Sequence, residues 1–233
     1  MGRYSKKGSY AGYKKNNAER EALDYYATPP AEVRNILFNK VDVPLDLETF
    51  NSPTNRITIL EPCVGGGHML QGIIDWCEHL ELYAEIDCTD CKDREPETFI
   101  KTNDFVKINY DLDQDFLSDE YCNIDKRYDF IIMNPPFKTI EPFTLRALEL
   151  LKPKTGILVM FGRTKFLESS SRYNNIFKDN CPNKFYQYVE RVCCYVNGDF
   201  DIKPSSIESY AWFIWDKRYP ALHEFGHIHR VDN

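Results

Sequence analysis

A chain of 233 residues with 42% hydrophobic and 14% aromatic content can bury one substantial core, and no apolar run in it is long enough for a helical membrane span. The formal charge of -7 argues against indiscriminate binding of polyanions by the whole surface but leaves room for a local basic face. The N-terminus is basic with no apolar segment behind it, so it does not read as a secretory signal, and the eight cysteines are expected as free thiols of a cytoplasmic protein.

Residues 1–21 carry Arg3, Lys6, Lys7, Lys14, Lys15 and Arg20 against Glu19, interleaved with Tyr4, Tyr10 and Tyr13. This composition predicts a flexible basic tail that either pairs with phosphates or only solubilises. A single domain is expected over 22–233. It opens on an extended stretch followed by a helix capped by Thr28, with Pro29 in its first position and Val33, Ile36 and Leu37 on its apolar face. "ITILEP" (57–62) reads as a buried strand, "CVGGG" as a tight loop and "HMLQGIIDWCEHL" as a helix. "ELYAEIDCTD" (81–90) alternates as a second strand, and "TFIKTNDF" (98–105) gives a third. "YDFIIM" is a fourth, followed by a helix over "IEPFTLRALELLKP" and a fifth strand, "GILVMF" (156–161). Residues 162–184 are polar and mixed; "FYQYVERVCCYV" and "SYAWFIWDKRY" then read as two long strands. Strands alternating with helices imply an α/β fold whose mostly parallel sheet is covered on both faces.

Two loops and a series of acids in that plan can carry chemistry. Three consecutive glycines, Gly65 to Gly67, let the main chain between a strand and a helix approach a ligand closely. The spacing is not that of the dinucleotide fingerprint, and Glu61 at the strand's end repels a pyrophosphate, so a cationic amine suits the loop better. Where the dinucleotide folds bind a ribose hydroxyl, both Asp87 and Asp90 qualify; Asp90 is preferred because it ends the alternating stretch. Asp104 of "NDF" could accept a hydrogen bond from an adenine amino group. A solvated surface carboxylate is the competing reading for each acid.

The second loop is "NPPF" (134–137), set directly against an apolar strand. An exocyclic amine on an aromatic base is a poor nucleophile because its lone pair is delocalised into the ring. Two acceptors against its N–H bonds would localise that pair. The Asn134 side-chain oxygen and the Pro135 carbonyl can be those acceptors, Pro135 and Pro136 restrict the main chain that aims them, and Phe137 offers a face for a planar base.

Taken together, "YYATPP", "LEPCVGGG", "NDF" and "NPPF" resemble the motifs of S-adenosylmethionine-dependent amino-methyltransferases, above all DNA adenine-N6 methyltransferases, with the cofactor loop before the catalytic turn as in the gamma arrangement. The resemblance covers residues 22 to 161. It implies a Rossmann-like class I methyltransferase fold with a mostly parallel, seven-stranded sheet, and S-adenosylmethionine as cofactor. It places Tyr26, Thr28 and Pro29 near the cofactor's methionine part, with Glu61, Pro62, Cys63 and Gly65 as its cradle. It gives the ribose to Asp87 or Asp90, the adenine to Asp104 with Phe105, and a flipped substrate adenine to Asn134, Pro135, Pro136 and Phe137, with Asn134 also bordering the cofactor. The implied enzyme is a small solitary DNA methyltransferase of the sort carried by phages. The same turn also serves enzymes acting on RNA bases or protein glutamine amides, and a non-catalytic scaffold with this fold is a third reading. Cys63 lies in the cofactor loop and has no covalent role to play.

Target contact is expected from 162–184, with Arg163, Lys165, Arg172 and Lys178, and from the loop 197–207, plain surface charge being the alternative. Two short patterns are decoys. "HEFGH" (223–227) formally matches a zinc-protease motif but falls after a strand and is expected in an exposed tail, and Cys88 with Cys91 has no second pair, so no metal is expected.

Overall fold

The computed structural model describes residues 25–44, 46–47, 51–119, 125–192, 194–196, 198, 200, 208–219 and 224–231. The basic tail over 1–21, residues 201–207 of the second target-contact loop and His223 lie outside them. The strands are β1 (Tyr26–Ala27), β2 (Ile57–Glu61), β3 (Ala84–Asp90), β4 (Val106–Leu112), β5 (Phe130–Met133), β6 (Ile157–Arg163), β7 (Lys184–Tyr188), β8 (Tyr195–Val196), β9 (Tyr210–Asp216) and β10 (Glu224–Ile228). The main helices are α1 (Pro30–Lys40), α2 (His68–His79) and α3 (Ile140–Leu150).

The central sheet has eight strands in the order β10-β7-β9-β6-β5-β2-β3-β4, and all pairings are parallel except those of β9 with β6 and β7. The central strands are apolar at nearly every position because both faces of the sheet are covered. Alternation sends Ile57, Ile59, Phe130, Ile132, Val159 and Trp212 to one core, which they share with α1 and α2. Leu60, Ile131, Met133, Leu158, Met160 and Phe213 go to the other, against Phe143 and Ala147 of α3.

Four expectations are corrected here. Residues 98–105 are not a strand: Pro96–Thr98 is a 3₁₀ turn, and Asn103 Oδ1 accepts from Phe105 N, a local side-chain turn that delays the extended run until Val106. The run 185–196 is broken, because after Tyr188 the polar Glu190 and Arg191 interrupt it and β8 leaves the sheet to pair antiparallel with β1. Residues 224–228 of the "HEFGH" region are no loose tail, since β10 adds a parallel edge strand to β7 and makes the count eight rather than seven, although Phe225 and His227 are exposed as expected. Finally, α1 starts at Pro30 with Pro29 at its cap and no side-chain capping bond, so Thr28 does not cap it.

Strand β2 runs between β3 on one side and β5 on the other. The chain order reverses there, and open parallel sheets bind ligands outside the carboxyl ends of strands at such a switch point. The glycine loop leaves the carboxyl end of β2 and the NPPF turn leaves that of β5, so the topology sets the two loops side by side.

Candidate active site

The glycine loop is held from both ends. Val64 N donates to Thr89 O at 2.9 Å and Gly67 N to Val64 O at 2.9 Å. Gly65 and Gly67 take φ of 55° and 83°, in the left-handed region that a side chain disfavours. Gly65 N donates to Asp90 Oδ2 at 2.8 Å and Gly66 N to the Tyr25 hydroxyl at 2.8 Å. The Tyr25 ring lies so close over the loop that a Cβ on Gly65 would sit 2.3 Å from it. The Arg94 guanidinium stacks on the Tyr25 ring, 4.7 Å from its centroid, and pairs with Asp90 Oδ1 at 2.8 Å.

The two candidate ribose carboxylates are three residues apart on one strand and therefore face opposite sides of the sheet. Asp90 is buried at the end of β3 beside the glycine loop. Asp87 lies on the far face in a network of its own, accepting from Asn109 Nδ2 at 2.9 Å, from the Tyr128 hydroxyl at 2.7 Å and from Lys126. Glu61 is 1% exposed, and its Oε2 has no partner among the described residues. Burial, then the neighbouring Asp90 charge, push its carboxyl well above the usual range.

Asp104 and Phe105 are not brought to this edge. Phe105 O accepts from Ala84 N at 2.9 Å, at the start of β3, whereas Asp90 ends it. Six steps of about 3.3 Å separate the two ends by about 20 Å. The adenine role expected of Asp104 and Phe105 is therefore corrected. The residues that do emerge beside Asp90 are those after β4: Gln114 N donates to Asp90 O at 2.9 Å, followed by Asp115 and the buried Phe116. The signal for them was present, since Asp-Phe recurs at 115–116 directly after the strand "VKINYDL".

In the NPPF turn, Asn134 Nδ2 donates to Tyr26 O at 2.8 Å and to Thr28 Oγ1 at 2.9 Å. A carbonyl can only accept, so the contact with Tyr26 fixes which end of the amide is nitrogen. Asn134 Oδ1 is buried and unpartnered among the described residues. Pro136 O accepts from Thr139 N at 3.0 Å, while Cys63 Sγ donates to Asn134 O at 3.3 Å and ties the glycine loop to the turn. Burial raises the Cys63 thiol well above its usual value, so it is no thiolate nucleophile. Pro62 O accepts from Thr89 Oγ1 at 3.1 Å, and Pro29 O from Glu32 N at 3.0 Å.

Phe137 stands among Tyr26, at 5.2 Å between ring centroids, Tyr210 at 5.9 Å and the Arg163 guanidinium at 4.1 Å. Arg163 and Lys165 both face Glu208, at 3.9 and 3.8 Å. Arg172 is not part of this group: its Nη1 donates to the carbonyls of Lys165, Phe166 and Glu168, so it braces the chain after β6. Arg163 Nε, like Glu61 Oε2 and Asn134 Oδ1, is buried without a partner among the described residues. These three groups stand at the carboxyl ends of β6, β2 and β5, which are neighbours in the sheet.

His227 is on strand β10, whereas a paired-histidine zinc motif needs a helix. Cys88 is buried in β3 and Cys91 exposed beyond it, neither in a disulfide, and no group of three or more metal-ligating side chains occurs among the described residues. No helix among the described residues is long and apolar enough to cross a membrane.

No family model and no curated protein matches this chain. Solved structures do. A Listeria monocytogenes protein described as a class I S-adenosylmethionine-dependent methyltransferase aligns over 95% of this chain and 69% of its own, at 14% identity and a TM-score of 0.62. The methyltransferase subunit of a type I restriction-modification system from Streptococcus thermophilus aligns over 85% of this chain and 46% of its own, at 12% identity and a TM-score of 0.59. Such low identity speaks for the fold, and the chain has the Rossmann-like class I methyltransferase fold, here with an added eighth strand.

Proposed function

We propose that the chain transfers a methyl group from S-adenosylmethionine to the exocyclic N6 amine of adenine in DNA. The observation that carries this reading is Asn134 Oδ1: a buried acceptor with no partner among the described residues, on an amide whose other end is fixed by Tyr26, the residue whose ring also packs on Phe137. An unmatched buried acceptor costs about 1–3 kcal/mol, which the N–H of an incoming amine would relieve.

The residues suit the cofactor. The unpartnered Glu61 carboxyl, whose raised pKa a cationic amine would bring back down, suits such an amine, the Gly65–Gly67 loop gives close main-chain approach, and Asp90, beside that loop once released from Arg94, takes the ribose in preference to Asp87 on the far face of the sheet. Asp115 and Phe116 replace Asp104 and Phe105 as candidates for the adenine end. Tyr25 and Arg94 must give way, because Tyr25 lies over the loop and Arg94 holds Asp90. S-adenosylmethionine, when bound, supplies an electrophilic methyl on a sulfonium sulfur. The chain's own part is to hold the acceptor amine: Asn134 Oδ1 takes one N–H, the Pro135 carbonyl the other, and Phe137 stacks on the base. A base in a duplex has to be flipped out to reach such a turn. Arg163, and Lys165 beside it, are the groups placed to meet phosphate once released from Glu208.

The test is transfer of a tritiated methyl to duplex DNA, single-stranded DNA, RNA and total protein, with products identified. Label in DNA recovered as N6-methyladenine supports the reading. Label confined to RNA or to glutamine side chains moves the same site to another acceptor, and cofactor binding without label anywhere makes the chain a scaffold.

A further inference from the structure

A threonine just before a helix ordinarily turns its hydroxyl to the first free N–H groups of that helix. Thr28 does not: α1 begins at Pro30 without a side-chain cap, and the Thr28 hydroxyl accepts from Asn134 Nδ2 at 2.9 Å instead. The second acceptor on the same nitrogen, Tyr26 O at 2.8 Å, comes from the same short segment. That segment is itself fixed. β1 pairs with β8 through Tyr26 opposite Val196 and Ala27 opposite Tyr195, the Tyr26 ring packs 5.2 Å from Phe137, and Ala27, Thr28 and Pro29 are buried. Between them, the two acceptors use both protons of the carboxamide nitrogen, which leaves the amide one orientation with Oδ1 away from the strap.

We infer that Tyr26 to Thr28 form a positioning strap that orients the Asn134 amide, and that the Thr28 hydroxyl serves this purpose in place of cofactor binding. The inference rests on the proposed role of Asn134, but its physical content, a carboxamide locked by a distant segment, does not. Thr28 touches no reacting atom; it acts through Asn134. Without its hydroxyl, one Nδ2 proton is left unpaired in a buried place, and rotation of the amide brings no remedy because the Tyr26 carbonyl would then face Oδ1. The amide is held by one contact instead of two, and its oxygen spends less time where an amine can reach it.

The experiment compares wild type with Thr28→Val, nearly isosteric but unable to hydrogen-bond, and Thr28→Ser, which keeps the hydroxyl. Asparagine-labelled protein, with the Asn134 carboxamide resonances assigned through Asn134→Ala, reports solvent exchange of the two Nδ2 protons by NMR without any substrate. The strap requires slow exchange in wild type and Thr28→Ser, and exchange of one proton faster by about tenfold in Thr28→Val, as loss of one hydrogen bond would give. Unchanged exchange in Thr28→Val overturns it. In the second arm, S-adenosylmethionine affinity is measured by calorimetry and methyl transfer to duplex DNA by label. Thr28→Val is expected to lose about tenfold in kcat with cofactor affinity held within twofold, and Thr28→Ser to recover most of the rate. A matching loss of cofactor affinity would make Thr28 a cofactor contact and sink the inference. Should wild type itself transfer no label to DNA, the functional proposal fails while the exchange arm still decides the strap.

Discussion

Replacing Asn134 by alanine separates what its amide does for the fold from what it does for the reaction. In the fold the substitution removes the bonds to Tyr26 O and Thr28 Oγ1, together worth about 1–3 kcal/mol. It also removes the buried, unmatched Oδ1, whose presence costs about 1–3 kcal/mol. The two effects oppose each other, so unfolding free energy should change by about 2 kcal/mol or less in either direction, and Tm by about 4–8 °C at most. In the reaction there is no such cancellation. The amine nitrogen gains positive charge as the new bond forms, its N–H bonds to fixed acceptors strengthen, and a preorganised group of this kind contributes about 3–4 kcal/mol to the barrier, or roughly 10²–10³ in rate. Single-turnover transfer of labelled methyl at saturating S-adenosylmethionine measures the rate, calorimetry the cofactor affinity and thermal unfolding the stability. A rate within threefold of wild type refutes the reasoning. So does a drop in cofactor affinity as large as the drop in rate, which would place the amide at the cofactor and not at the acceptor.

Three further outcomes follow from the geometry. Asp90→Asn should weaken cofactor binding by about tenfold or more through loss of a carboxylate beside the glycine loop, while Asp87→Asn should leave affinity alone and lower Tm, because its partners Asn109, Tyr128 and Lys126 are structural; calorimetry and thermal melts of both variants check this. Arg163→Ala should reduce the salt dependence of DNA binding by about one unit of slope, and Arg172→Ala should leave that slope unchanged but destabilise the chain after β6, as salt-titrated binding and melts would register. His68, packed between Phe99 and Phe200, has its pKa lowered by burial to about 4. The unfolded chain therefore takes up a proton near pH 6.5 that the fold refuses. The contribution of the neutral ring is complete above that pH and is lost as pH falls towards 4, and His68→Gln should flatten this part of the urea-unfolding profile.

Much of the site was legible because its signals are local. The apolar run before Asn134 and the glycines after Glu61 each mark a strand that stops at a loop, and parallel topology then brings the two loops together without further information. What sequence could not supply was anything depending on which end of a strand a residue occupies. Asp104 and Asp115 are both followed by phenylalanine, and only the position of β4 tells that the first precedes the strand and the second follows it. Asp87 and Asp90 likewise fit the spacing equally, and the pleat separates them: one points to Tyr128, the other to Gly65. Arg172 read as a phosphate contact because charge is visible in sequence and three backbone carbonyls around it are not.

Where polar groups are left unmatched is more informative than where they are satisfied. Asp129 is buried yet accepts from Thr58 N at 2.9 Å and pairs with Lys152 at 2.8 Å; Asp216 is buried and paired with Arg218. The chain is thus able to satisfy buried charge at the amino ends of its strands and at the sheet's far side. At the carboxyl ends of β2, β5 and β6 it leaves Glu61 Oε2, Asn134 Oδ1 and Arg163 Nε unpartnered in adjacent positions. Trp76 Nε1 and Asn103 Nδ2 are also unmatched among the described residues and lie elsewhere, so an unmatched group alone marks no site; what sets the three apart is that they fall on neighbouring strand ends. Two acceptors and one donor, converging where the strand order reverses, describe a ligand by its complement: a cation or N–H donor at Glu61, an N–H donor at Asn134, and an acceptor at Arg163. On the proposed reading, an amino-bearing heterocycle held beside a cationic cofactor would meet all three.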